Sequence, residues 1–220
     1  MTLIAYATPA EAGRLRRRAQ KREVWRGRER LFGPGWAGLE LGVGKVNAAA
    51  TLAAYLEGHP QVERVLLVGI AGAYPGTGLE PGDLALAAEE VQADLGLATG
   101  LEPLGFAALE VGGRSYYNRF PADAAWTSAL QARWGLKAYP FLTRDLVSAS
   151  REEAAELARR WGAALENMEG AAVAQTAMLF GVGWAELRAV SNEAGVRDKN
   201  KWRLAEALEA LAAALDDLLS

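Results

Sequence analysis

The sequence predicts an α/β protein: one three-layer α/β/α domain over residues 1–220, built around a central mixed, largely parallel sheet. Short apolar runs alternate with longer segments of helical periodicity, which is typical of this class. Runs such as residues 62–68 are apolar throughout, as expected for strands buried on both faces. No long linker rich in Ser, Pro or Gly interrupts the pattern, so a single domain is expected.

The predicted strands are short runs of apolar or β-branched residues bounded by turn-forming residues. They cover residues 3–7, 23–30, 36–41, 62–68, 84–91, 138–142, 163–168 and 184–190.

The predicted helices lie between these strands. They begin near Pro9 and cover residues 48–56, 121–134, 151–161 and 171–180, followed by a closing helix. In the closing helix, leucines at 204, 208, 211, 215 and 218 are spaced 4, 3, 4 and 3, which predicts one buried stripe. At the first helix, Thr8-Pro9-Ala10-Glu11 has the residues of a capping box.

The composition excludes several kinds of site. Cysteine is absent and histidine occurs once, at His59, so disulfides, thiolate zinc sites, cysteine nucleophiles and multi-histidine metal clusters are excluded. His59 stands in a turn sequence and is expected to be an ordinary loop residue. Any acid–base chemistry is therefore expected to depend on carboxylates and amides, with no metal and no cofactor.

Charge and hydropathy argue against polymer or membrane partners. The net charge is −3, and although nine of the 24 basic residues lie between Arg14 and Arg30, the segment is expected to be a solvated surface with no nucleic-acid partner. No basic leader precedes an apolar core at the start, and no apolar run reaches the length of about 18 residues that spans a membrane. A cytoplasmic protein is expected.

Two glycine motifs fail as nucleotide-cofactor sites. Gly33-Pro-Gly-Trp-Ala-Gly38 is followed by a predicted strand, whereas the dinucleotide-binding motif opens a helix. Gly42-Val-Gly-Lys45 resembles the end of a phosphate loop, but Leu39 replaces its first glycine and Val46 its hydroxyl residue.

Polar or glycine-rich positions follow four predicted strands, at the edge where open α/β sheets bind ligands. They are Glu11, residues 69–72, Glu169 and Ser191-Asn192. Glu11 has two open interpretations, a helix cap or a catalytic carboxylate. Glu169 precedes an apolar helix and needs hydrogen-bond donors, which ligand hydroxyls would supply. Asn192 alone is also compatible with a simple turn.

Five segments together resemble the purine nucleoside phosphorylase superfamily, and within it the nucleosidase branch. The resemblance covers nearly the whole chain. The segments are Gly42-Val-Gly-Lys-Val-Asn-Ala-Ala49, Val68-Gly-Ile-Ala-Gly-Ala73, Pro81-Gly-Asp83, Asn167-Met-Glu-Gly-Ala-Ala172 and Arg188-Ala-Val-Ser-Asn192.

The resemblance implies a nucleosidase with a small-molecule nucleoside substrate. It implies that Glu169 binds the ribose 2′- and 3′-hydroxyls, that Met168 lines the sugar, that Glu11 orients and deprotonates the attacking water, and that Asn192 contacts the base. The other expected substrate-binding residues are Ile70, Gly72, Val147 and Asn167, the last without a defined role. A homo-oligomer, dimeric or higher, is also implied.

Asn192 departs from the aspartate of the adenine-cleaving relatives. An amide cannot supply a proton, but it donates to the 6-oxo oxygen of hypoxanthine and steadies N7 as charge builds on the base. The expected leaving group is therefore a 6-oxopurine, hypoxanthine, rather than adenine.

Several alternatives stay open. Residues 112–119, with Arg114, Tyr116, Tyr117 and Arg119, either contact a bulky 5′ substituent or form an ordinary exposed loop. A phosphorylase would need arginines at the glycine segment, and only Arg14, Arg28 or Arg30 are available to reach it. The remaining alternative functions are a methylthioadenosine-type nucleosidase and a non-catalytic purine-nucleoside sensor.

Overall fold

The computed structural model describes residues 1–220 as a curled mixed sheet with helices on both faces. Its strands are β1 (Thr2–Tyr6), β2 (Lys21–Trp25), β3 (Arg28–Gly33), β4 (Trp36–Glu40), β5 (Arg64–Ala73), β6 (Leu84–Gln92), β7 (Leu109–Val111), β8 (Arg114–Tyr116), β9 (Arg119–Pro121), β10 (Ala138–Thr143), β11 (Leu165–Asn167) and β12 (Gly183–Glu193). Its helices are α1 (Gly13–Arg18), α2 (Lys45–Glu57), α3 (Ala124–Trp134), α4 (Arg151–Trp161), α5 (Gly170–Leu179) and α6 (Leu204–Leu218).

The main sheet has the strand order β11-β10-β6-β12-β5-β1-β4-β3-β2, with β9 added beside β6. β1 pairs in parallel with β4 and β5, and β12 pairs in parallel with β5. β11 pairs with β10 in parallel and also with β5 in an antiparallel ladder, so the β11 end of the sheet curls back onto β5. This curl brings the ends of β5, β11 and β12 together.

Apolar clusters on the two faces of the sheet hold the helices. Residues of α2 and α5, including Leu52 and Val173, belong to a cluster of 28 buried residues. Residues of α1, α3 and α6, including Leu15, Trp126 and Leu211, belong to a second cluster of 18. The predicted three-layer α/β/α arrangement is confirmed. No helix has the length and hydropathy needed to cross a membrane.

The helix boundaries follow local capping chemistry. Ser150 accepts a hydrogen bond from the Glu153 amide at the start of α4, and Gly162 ends that helix with a φ of +67°. The prediction of this helix was correct to the residue. The prediction of a helix from 121 was wrong, because residues 119–121 form β9 and Asp123 caps a helix that starts at Ala124.

Two other predictions were wrong near the N-terminus. The segment 23–30 is not one strand: Arg26 and Gly27 adopt φ values of +52° and +76°, which produce a tight turn between β2 and β3. The first helix starts at Gly13 rather than near Pro9. The Glu11 amide closes a turn onto the Thr8 carbonyl (3.1 Å), so Thr8 does not cap a helix.

Strands β5 and β12 are longer than predicted. Residues 69–72 continue β5, and Ser191-Asn192 continue β12 with a register shift between Val190 and Asn192. Both polar segments were expected to be loops beyond the strand ends. Residues 69–72 and Asn192 are therefore paired within the ladder between β5 and β12, and Ser191 stands unpaired at the register shift. β11, in contrast, is only three residues long.

Candidate active site

A cavity of about 220 Å³ lies where the ends of β1, β5, β11 and β12 meet. All eight residues expected to contact substrate line it: Glu11, Ile70, Gly72, Val147, Asn167, Met168, Glu169 and Asn192. Their convergence is the prediction that followed from the strand ends, and the geometry agrees with it. A concave site lined by apolar walls and a few convergent polar groups is typical of small-molecule binding.

Glu11 is a buried carboxylate held by three donors. Its Oε2 accepts hydrogen bonds from the Thr8 amide (2.8 Å) and the Thr8 hydroxyl (3.1 Å), and its Oε1 accepts from the Ile70 amide (3.1 Å). Burial raises the pKa of this carboxyl, and the positive charge of Arg188 offsets part of the rise. The hydrogen bond from the Thr8 amide is one of the two that make up a capping box, but no helix begins at Thr8, because α1 starts at Gly13.

Glu169 stands at the start of α5 and reaches the loop after β4. Its Oε1 accepts a hydrogen bond from the Gly44 amide over 3.0 Å. Gly44 has a φ of +89°, a conformation that glycine adopts without strain, and this turn presents the amide to the carboxylate. The second oxygen, Oε2, lies 3.5 Å from Nη2 of Arg188.

Arg188 lines the cavity between the two carboxylates, Glu11 and Glu169. It is almost completely buried, its Nε donates to Glu186 Oε1 over 2.6 Å, and its Nη1 donates to the Ile70 carbonyl over 3.3 Å. Burial lowers the pKa of this guanidinium, but the charges of Glu186, Glu169 and Glu11 raise it more. The absence of a side chain at Gly69 leaves room for the Arg188 guanidinium beside Glu11. A Cβ at Gly69 would overlap the guanidinium and lie 2.7 Å from Glu11 Oε1.

Asn167 directs its amide into the protein. Its Oδ1 accepts from the amides of Glu169 (3.0 Å) and Gly170 (2.7 Å), so it caps α5, while its Nδ2 donates to Glu90 Oε1 (2.5 Å). Oδ1 also lies 3.3 Å from Nη2 of Arg188. The side chain therefore borders the cavity with its Oδ1 and one Nδ2 hydrogen already bonded within the protein, which gives it a positioning role.

Two buried carboxyl groups lie behind this network. A Cβ added at Gly170 would overlap the Glu90 carboxyl and would approach Glu186 Oε2 to 2.7 Å, so the two acids are neighbours. Burial and the adjacent charge of Glu186 raise the pKa of Glu90 well above its usual range. Burial also raises the pKa of Glu186, while the positive charge of Arg188 lowers it.

Asn192 has a fixed amide orientation. The Ser191 hydroxyl donates to Asn192 Oδ1 over 2.7 Å, and Asn192 Nδ2 donates one of its two hydrogens to the Glu193 carbonyl over 2.9 Å. The second Nδ2 hydrogen has no protein acceptor. It is available to a ligand in the cavity.

The sequence-based prediction missed several lining residues. Glu166, Arg188, Arg197 and Trp202 all border the cavity. Arg188 carried a signal, because Arg188 and Glu186 are two charged residues in a strand that is otherwise apolar up to Val190, and a buried arginine needs carboxylate partners. Glu166 gave no comparable signal, since it lies in a three-residue strand.

Other expected contributors lie elsewhere. Residues 114–116 form a hairpin strand, and Tyr116, Tyr117 and Arg119 line a different cavity, so within one chain they do not border the candidate site, and their contact with a 5′ substituent stays a hypothesis. Arg14 and Arg30 pair with Asp216 and Glu23. Arg28 packs against Gly42 and bonds Asn47 over 2.9 Å, outside the cavity lining.

His59 is also remote from the cavity, as expected for a turn residue. Its ring stacks on Tyr55, with ring centroids 3.9 Å apart, and its Nδ1 lies 2.7 Å from the Tyr55 carbonyl oxygen. No group of three or more His, Asp or Glu side chains has the arrangement of a metal site.

The fold and the cavity define an α/β protein with a carboxylate-rich small-molecule site at the carboxyl ends of its strands. The sequence profile of the Phosphorylase superfamily matches residues 7–220. A futalosine hydrolase from Thermus thermophilus is 58% identical over 197 residues, which cover 90% of this chain and 85% of that protein. A futalosine hydrolase from Streptomyces coelicolor is 38% identical over 84% of this chain and 78% of its own length. The chain therefore belongs to the Phosphorylase superfamily and, within it, to the futalosine hydrolase family.

Solved structures agree on the fold. The S-adenosylhomocysteine nucleosidase of Streptococcus pyogenes superposes with a TM-score of 0.83 at 22% identity, covering 99% of this chain and 95% of that one. A mutant futalosine hydrolase of Helicobacter pylori also gives 0.83, at 20% identity and with 99% and 97% coverage.

Proposed function

We propose that this chain hydrolyses the N-glycosidic bond of futalosine and releases hypoxanthine. The 58% identity to the Thermus thermophilus futalosine hydrolase carries the choice of substrate. The cavity supports the chemistry, because it places two carboxylates, Glu11 and Glu169, and the Asn192 amide around one space.

Glu11 is the general base in this proposal. It takes a proton from a water molecule as the water oxygen bonds to C1′ of the sugar. The electron pair of the C1′–N9 bond passes to the purine, and the proton that Glu11 has taken from the water is released and bound by the purine, so the net reaction adds OH to C1′ and H to the base. A buried carboxylate with a raised pKa is suited to this step, since it accepts a proton more readily than an exposed one.

The other polar side chains bind the two ends of the nucleoside. Glu169 accepts hydrogen bonds from the ribose hydroxyls, with its position fixed by the Gly44 amide and Arg188. Met168 lines the sugar, and Ile70, Gly72 and Val147 complete the walls. Asn192 donates its remaining Nδ2 hydrogen to the purine and stabilises the charge that builds on it.

The wider setting is also part of the proposal. A single catalytic domain over residues 1–220 acts in menaquinone biosynthesis, in the cytoplasm, with no nucleic-acid or membrane partner. A homo-oligomer is supported by large apolar side chains exposed beside the cavity: Val46 and Leu146 are 80% and 75% exposed and flank the segments that carry Val43 and Val147.

The test is incubation with futalosine, inosine and methylthioadenosine in phosphate-free buffer, with the released base identified by chromatography. Hypoxanthine from futalosine is the expected product. Base release only after phosphate is added would indicate a phosphorylase, adenine as the preferred product would indicate a methylthioadenosine-type nucleosidase, and binding without release would indicate a sensor.

A further inference from the structure

Glu166 is a buried carboxylate in the cavity wall that the proposed mechanism does not use. It lies in β11, where it pairs with Gly72 of β5, and Asn192 of β12 pairs with the same glycine from the other side. Because residues paired across a ladder point to the same face, Glu166 and Asn192 flank Gly72 on one face. A Cβ at Gly72 would lie 3.3 Å from Glu166 Cγ and 3.4 Å from Asn192 Nδ2.

Ser148 holds the Glu166 carboxylate in place. The Ser148 amide lies 3.2 Å from both carboxylate oxygens, and its hydroxyl donates to Oε2 over 2.5 Å. The neighbouring Tyr74 hydroxyl makes no hydrogen bond of ordinary length. Each carboxylate oxygen accepts two hydrogen bonds, so Oε1 keeps an unused acceptor position.

The pair therefore presents one donor and one acceptor side by side: the free Nδ2 hydrogen of Asn192 and the free lone pair of Glu166. A 6-oxopurine has the complementary edge, because its O6 accepts and its N1–H donates. Adenine has the opposite edge, since its 6-amino group donates and its N1 accepts. A carboxylate facing the adenine N1 lone pair would repel it and would leave both groups unpaired.

We propose that Glu166 determines the specificity for the base by accepting the N1–H of a 6-oxopurine while Asn192 donates to O6. This inference rests on the proposed function and adds to it a second, acidic determinant. Asn192 alone contacts only O6, through its free Nδ2 hydrogen, and does not distinguish bases at N1. A carboxylate has only acceptors, and it excludes a base that has no N1–H.

The test compares futalosine with its 6-amino analogue in the wild type and in Glu166→Gln. In the variant, the Ser148 donors hold the glutamine oxygen, so the amide NH₂ faces the cavity and matches adenine N1 instead. We expect the ratio of kcat/KM for futalosine to that for the 6-amino analogue to fall by about 100-fold or more. Glu156→Gln, an exchange on the exposed surface of α4, is the matched control and should leave the ratio unchanged.

Calorimetric binding of free hypoxanthine and free adenine separates this inference from the proposed function. Reversed base preference in Glu166→Gln supports the inference even if the wild type hydrolyses neither nucleoside, a result that would defeat the proposed function alone. An unchanged preference in a folded Glu166→Gln variant would overturn the inference while hydrolysis of futalosine stood.

A crystal structure of the wild type with hypoxanthine needs no variant. N1 should lie about 2.7–3.2 Å from a Glu166 oxygen, and N1 turned away from Glu166 would overturn the inference.

Discussion

The Arg188 guanidinium donates from Nε to the Glu186 carboxylate over 2.6 Å, with neither side chain more than 1% exposed to solvent. The same guanidinium lies 3.5 Å from Glu169. It also packs against Gly69, on the side of the cavity where Glu11 lies. The buried Arg188 guanidinium thus positions Glu169, the proposed ribose-binding carboxylate. It also balances negative charge near Glu11, the proposed general base.

Arg188→Leu should destabilise the protein, because it leaves the Glu186 charge buried without a partner. Loss of one member of a buried ion pair costs about 3–5 kcal/mol, and the free energy of unfolding in urea measures it. The double variant with Glu186→Leu should recover part of the loss. A single variant as stable as the wild type would show that the pair contributes nothing.

Glu11→Gln should leave the fold intact and lower kcat by about 100-fold or more, because the amide cannot take a proton from water. Gln keeps one oxygen for the Thr8 donors and loses the hydrogen bond from the Ile70 amide, so the melting temperature should fall only modestly. Glu110→Gln, in the exposed β7–β8 hairpin, is the control. Full turnover by Glu11→Gln would reduce Glu11 to a structural ligand of Thr8.

The pH dependence of kcat/KM should show an acidic limb above the ordinary glutamate pKa of about 4.3. Glu11 works in its ionised form, and burial raises its pKa, so activity is lost as pH falls through that raised pKa. The limb should vanish from the residual rate of Glu11→Gln. A limb at or below the ordinary glutamate value would contradict the assignment of Glu11 as the base.

Glu90 should make the protein less stable as pH rises. Its folded-state pKa is raised, so the folded state holds the proton more tightly than the unfolded state does. The favourable contribution is complete below the unfolded pKa and is lost between that value and the raised one. Glu90→Gln should flatten this part of the stability curve, measured by urea unfolding from pH 4 upwards (about the ordinary glutamate pKa). If the slope of the unfolding free energy against pH is the same in Glu90→Gln as in the wild type, Glu90 is not the group that binds the proton.

How much the sequence predicts depends on where the determining interactions lie. Helix α4 was predicted to the residue because Ser150, Glu153 and Gly162 act locally. The β2–β3 turn was missed because Arg26 adopts a left-handed conformation that its residue type does not favour. Local patterns identify caps and apolar stripes, but not a backbone conformation imposed by pairing.

The candidate site shows the same division. Glu11, Glu169 and Asn192 were identified because polar residues at strand ends stand out against apolar strands. Glu166 was missed because its importance comes from β11 lying beside Gly72, and the curl of the sheet that brings them together is a long-range feature. For residues 112–119 the sequence left two alternatives open, because a segment rich in Tyr and Arg carries no information about which cavity it borders.

The most direct test of the central claim is hydrolysis of futalosine in ¹⁸O-labelled water without phosphate, with both products analysed by mass spectrometry. The account predicts unlabelled hypoxanthine and a free sugar carrying one ¹⁸O at C1′, with neither formed by Glu11→Gln above about 1% of the wild-type rate. A sugar phosphate formed only when phosphate is added, or no base release at all, would contradict it.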